Sequence, residues 1–124
     1  MDRDELRDRT KRFALRIIKL VAALPKKTEG YVLGRQLLKS GTSIGANYRE
    51  ALRASSRKHF ISTTEIALRE ADETLYWLEL LADSEIVKPS RITDLTDECR
   101  QLVAILTATV KTTKSNTPPR KSRR

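Results

Sequence analysis

The residues able to do chemistry are few, and their spacing does not suit catalysis. His59 is the only histidine and Cys99 the only cysteine in the 124 residues. A di-iron carboxylate bundle needs Glu-x-x-His pairs on two helices, and the residue three before His59 is Ser56. A zinc site fails on the same count of Cys and His. The chain contains no Walker loop, Rossmann glycine pattern or nucleophile elbow. Glu65, Glu70, Asp72, Glu73, Glu79 and Asp83 are spread around one helical segment, the arrangement of a solvated face or of salt-bridge partners. His59, beside Lys58 at a helix start, reads as an exposed bystander. Cys99 falls on an apolar seam and reads as a small buried hydrophobe. The expectation is a non-enzymatic protein without metal or cofactor.

Basic residues are the other chemically capable group. The formal charge is +9, unevenly placed. Residues 1–27 carry nine basic and four acidic groups, residues 28–54 are net +2, residues 55–84 are net −3, and residues 114–124 are net +5. Clustered Lys and Arg release counterions from a phosphate backbone, so a polyanion partner is one reading. Solvation of helix faces is the other. On the first reading, the phosphate contacts are Arg3, Arg7, Lys11, Arg35, Lys39, Arg49, Arg53, Arg57 and Lys58, together with Arg120, Lys121, Arg123 and Arg124 in the tail.

The elements that must position these residues are helices. Asp2 with Glu5 resembles a capping box, and Leu6, Thr10, Phe13, Ile17, Leu20 and Leu24 follow at steps of four and three. Pro25 ends that helix. A second helix places Leu33, Leu37, Ser40, Ile44, Asn47 and Ala51 on one seam. After a break at Ala54-Ser55-Ser56, the third aligns Phe60, Thr64, Ala67, Ala71, Thr74, Leu78 and Leu81. Pro89 suits the first turn of a fourth helix, with Ile92, Leu95, Cys99, Leu102, Leu106 and Thr109 inward. Four helices with short connections predict an all-α, up-down-up-down antiparallel four-helix bundle over residues 1–113. Residues 114–124, with two prolines and five basic residues, predict a disordered basic tail.

Two features exceed what a lone bundle needs. The third helix is apolar nearly all round at its C-terminal end, where Trp77 and Leu80 lie off the seam, as Ile66 does earlier. With Ile18 on a second stripe of the first helix, these predict an oligomer interface. The second helix carries polar groups on or beside its seam: Ser40, Ser43, Asn47 and Glu50, with Gln36 and Arg57 continuing the flanking stripe. A buried Asn or Ser fixes register and oligomer order. Alternatively, the stripe lines a functional surface. Gly34, Gly41 and Gly45 each cost a helix about 1 kcal/mol relative to Ala, and read as sites of close helix approach.

Gln36-Leu37, Ser40, Ser43-Ile44, Asn47, Glu50-Ala51, Arg57-Lys58, Phe60, Ile66-Ala67 and Glu73 together resemble the four-helix-bundle proteins related to the 23S rRNA-intervening-sequence protein. The resemblance covers roughly residues 10–112. It implies an antiparallel four-helix bundle that assembles as a homopentamer, in a family with no established catalytic activity. Some members are encoded within intervening sequences of ribosomal RNA genes. Distantly similar proteins are accessory factors of reverse transcriptases in diversity-generating retroelements. Arg69-Glu70 departs from the Gly-Ser that many members carry.

Two functional expectations follow. One is a homo-oligomeric, weakly sequence-specific nucleic-acid-binding protein, contacting RNA or DNA through backbone electrostatics with few exposed aromatics. The other is a scaffold or protein-interaction module, with a reverse transcriptase as one partner. No run approaches the eighteen apolar residues of a transmembrane span. The charged start and single cysteine accord with a cytoplasmic location.

Overall fold

The first, third and fourth helices each begin where a side chain supplies a local reason to begin. In the computed structural model, which describes residues 1–116, α1 runs Arg3–Ala22, α2 Thr28–Ala51, α3 Arg57–Asp83 and α4 Pro89–Ser115. Asp2 caps α1 by accepting from the Glu5 N–H at 2.8 Å, and the Glu5 side chain returns to the Asp2 N–H. Ser56 caps α3 by accepting from the His59 N–H at 3.0 Å. Pro89 opens α4, where its missing N–H costs nothing. The α4 helix ends at Ser115, so Lys114 belongs to it and pairs with Glu65 of α3 at 3.1 Å. No helix among the described residues is long and apolar enough to cross a membrane.

Connections of five residues join consecutive helices, so neighbours run antiparallel. Each helix packs along its sequence neighbours, and α1 meets α4 to close the bundle. The core is the set of seams: Leu6, Phe13 and Ile17 from α1, Leu37 and Ile44 from α2, and Leu78, Leu102 and Leu106 from α3 and α4. Burying a side chain of this kind contributes about 1.5–3 kcal/mol.

One seam runs differently from its expected path. In α2 it passes through Tyr48, which is 1% exposed, and not through Asn47. Asn47 is half-buried on the flank, and its Nδ2 donates to the Ser43 carbonyl of the same helix at 2.8 Å. The glycines supply the reason. A Cβ on Gly41 would lie 2.8 Å from Ile17, and one on Gly45 3.1 Å from Thr10. Helix α1 therefore sits close against that side of α2, which rotates the buried sector toward α1 and carries Tyr48 inward. Val110 likewise takes the last buried place on α4, where the spacing had suggested Thr109.

Candidate nucleic-acid interface

Helical spacing sorts the basic residues before any contact is considered. Arg35, Lys39, Thr42, Ala46 and Arg49 of α2, with Arg53 in the turn just past its end, recur at steps of four and three, away from the sector that faces α1 and α3. All four cations are exposed, and none makes an ion pair among the described residues. From Arg35 to Arg49 the helix rises about 21 Å over about four turns. No acidic residue interrupts this ridge; Glu50 lies at its edge beside Ala46, Arg49 and Arg53. Lys11, also exposed, lies on the α2 side of α1 and extends the same face.

The other candidate cations are placed differently. Arg7 lies 3.4 Å from Asp4 and 3.6 Å from Asp8. Arg3 stands over the Phe60 ring, 4.7 Å from its centroid. Arg57 donates to the carbonyl of Asn116. Lys58 is exposed on the α4 side of α3, near Ile61, Glu65 and Lys114, well away from the α2 ridge. Arg120, Lys121, Arg123 and Arg124 lie outside the described residues.

The polar stripe of α2 separates into a buried and a solvated part. Ser40 is buried, and its hydroxyl is hydrogen-bonded to the Thr74 hydroxyl of α3 at 2.8 Å. Thr74 also reaches the Glu70 carbonyl at 2.7 Å, so this pair bridges α2 and α3 inside the core. Ser43 is half-buried and donates to the Lys39 carbonyl at 2.6 Å. Glu50 is exposed, which removes it from any buried polar seam. Nearby on α3, burial first and the Glu73 carboxylate second raise the Glu70 pKa, while Lys39 opposes the rise.

Apolar surface outside the core includes two distinct flanks, besides the separately exposed Met1, Val32 and Tyr76. Ile18 is 46% exposed, and the same side of the α1–α2 pair presents Leu15 at 56%, Tyr31 at 57% and Leu38 at 37%. Ile66, Trp77 and Leu80 lie on the α2-facing shoulder of α3 and are only half-buried within one chain. The Trp77 indole N–H is shielded from solvent and has no acceptor among the described residues. The Trp77 ring stands 5.2 Å from that of Tyr76, which is exposed. Sequence spacing identified Ile18 but missed Leu15, Tyr31 and Leu38, which show no excess over an ordinary amphipathic pattern. Two exposed tyrosines also exceed the aromatic surface expected.

Residues with catalytic potential are dispersed or enclosed. His59 is exposed in the first turn of α3. Cys99 is buried, its thiol donates to the Ala71 carbonyl at 3.3 Å, and burial pushes its pKa up to about 12. Glu65 pairs with Lys114, and Glu79 lies 3.8 Å from Arg100. Among the described residues, no group of three His, Cys, Asp or Glu is placed to hold a metal ion.

Comparison with known proteins agrees with this architecture. A family model described as 23S rRNA-intervening sequence protein matches residues 4–108. Among solved structures, the chain is similar to a crystal structure from Bacteroides thetaiotaomicron VPI-5482, described as a protein with unknown function from the S23 ribosomal protein family. The two are 39% identical over 90% of this chain and 99% of that one, with a TM-score of 0.83. No curated protein matches.

Proposed function

Because the chain belongs to the 23S rRNA-intervening sequence protein family, we propose that it is a non-enzymatic, homo-oligomeric protein that binds nucleic acid along the back of α2. The observation that carries this reading is the ridge of Arg35, Lys39, Arg49 and Arg53, exposed and free of ion pairs among the described residues. Such a row meets successive phosphates, releases their counterions and reads little sequence. The family description refers to an intervening sequence of 23S rRNA, which favours RNA as the first ligand to try.

Assembly into a ring, with a pentamer as the expected order, is supported by the two apolar flanks. A closed cyclic oligomer joins two different surfaces of each subunit, whereas a two-fold dimer needs one surface that matches itself. The chain offers two: Leu15, Ile18, Tyr31 and Leu38 on one side, and Ile66, Trp77 and Leu80 on the other. Each subunit would then add its own α2 ridge to one multivalent surface.

Binding of structured RNA and duplex DNA across a salt series tests the nucleic-acid reading. The four ridge cations lead to a slope of log K against log salt of about −3 to −4 per subunit engaged. The Arg35→Ala/Arg49→Ala variant should weaken binding on all sequences alike and reduce that slope by about two. Absence of binding at low salt would sink the reading. A scaffold role, with a protein such as a reverse transcriptase as partner, is favoured instead if Leu15, Ile18, Tyr31 and Leu38 stay accessible in the purified oligomer.

A further inference from the structure

At one end of the bundle, α1 and α4 diverge and leave a cavity of about 740 Å³ between the α1–α2 and α3–α4 connections. Its volume lies within the range of small-molecule sites. Its rim carries Arg16 and Lys19 of α1, Lys88 at the N-cap of α4, and Arg91 one turn into that helix. No acidic residue lines it, and none of these four cations makes an ion pair or side-chain hydrogen bond among the described residues. Beneath them the wall is aliphatic. Leu24, Ile92 and Leu95 are buried there and Leu20 is half-buried, with Val87 closing the loop side.

We infer that this cavity is a binding site for a small anionic amphiphile, with a carboxylate or phosphate head held by Arg16, Lys19, Lys88 and Arg91 and an aliphatic body against the half-buried Leu20, Ile86 and Val87. Four like charges around one concavity repel each other, and an anion there relieves that repulsion. The aliphatic wall decides the rest of the ligand. No aromatic ring lines the cavity for a nucleobase to stack on, and no side-chain amide, hydroxyl or carboxylate is present to read a base or sugar. An aliphatic chain needs neither, and gains from leaving water. The site lies between α1 and α4, apart from the α2 ridge, and does not rest on the nucleic-acid reading.

Titration calorimetry on the full chain tests this with laurate and dodecyl phosphate, and with dodecyl maltoside below its micelle concentration as a neutral control of equal chain length. The expected result is saturable binding of the two anions, at least tenfold tighter than the neutral compound. The Arg16→Gln/Arg91→Gln variant should lose tenfold or more in laurate affinity. Both residues are exposed, so its melting temperature should stay unchanged. The Arg35→Ala/Lys39→Ala variant should bind laurate as the parent does. Equal binding of the neutral compound, or undiminished laurate binding by the Arg16→Gln/Arg91→Gln variant, would overturn the inference. Binding only to phosphatidylglycerol vesicles, with none to free laurate, would overturn it in favour of a membrane surface. Loss of polynucleotide affinity in the same variant, without any laurate site, would assign the cluster to nucleic acid instead.

Discussion

Cys99 owes its character to burial, beside Ala71, whose carbonyl accepts its thiol proton. Burial raises the thiol from an ordinary value near 9 to about 12. A raised pKa means the folded state holds the proton more tightly than the unfolded chain does. The stability gained is therefore complete below pH 9 and is lost as pH climbs from 9 toward 12. Thiol reagents at neutral pH should label Cys99 only after denaturant unfolds the chain, and a Cys99→Ser variant should lose part of the alkaline fall in melting temperature. Glycine matters most at two positions. A Cβ on Gly30 would lie 2.0 Å from the carbonyl oxygen of Pro25, a backbone atom that cannot step aside. On Gly41 it would meet the side chain of Ile17 at 2.8 Å, which can shift. Gly30→Ala should therefore destabilise more than Gly41→Ala in urea unfolding. The latter should cost about 1–3 kcal/mol, less the roughly 1 kcal/mol that Ala returns to a helix interior.

At the scale of the helices, the caps and Pro89 were readable because each depends on residues within one turn. The α1 and α3 seams were readable because their buried sectors are centred on the apolar stripe. The α2 seam drifted by one residue, from Asn47 to Tyr48, since its buried sector is set by how closely α1 approaches the glycines. That approach is a property of the pair of helices and not of either alone. The sequence grouped Arg35, Lys39, Arg49 and Arg53 with Lys58 as phosphate contacts, but gave no hint that Lys58 would lie on the α4 side of α3 or that Arg7 and Arg57 would be engaged locally. Least legible was the tie between α1 and α4. Arg9 donates twice to Glu98 at 2.7 Å, and also to Gln101 at 2.7 Å, across 89 or more residues of sequence. Both ionic partners are only 19% exposed, and the bond holds the Arg9 guanidinium pKa above its usual value. Arg9→Ala should cost about 1–2 kcal/mol, below a fully buried charged pair because water still reaches both groups. Chemical denaturation beside an Arg12→Ala control, on an exposed residue of the same helix, would measure it.

For the whole molecule, the two apolar flanks and the α2 ridge are expected to work together. Ile18→Glu changes an exposed side chain, so a single subunit should keep its helical circular dichroism while the oligomer dissociates in light scattering. The same variant should lose avidity for nucleic acid without losing its ridge, separating assembly from contact. The Arg9–Glu98 tie has a further consequence, in time rather than in free energy. Nearly all helix packing here joins consecutive helices, so loop-closure entropy is small and the chain should fold within milliseconds. Docking of α1 onto α4 is the one closure that spans most of the chain, and it is the step best placed to come last. A contact formed after the transition state governs escape from the native state and leaves the approach to it untouched. In a chevron plot, Arg9→Ala should raise the unfolding limb and leave the refolding limb in place, which would make that one tie the latch that sets how long each subunit stays folded.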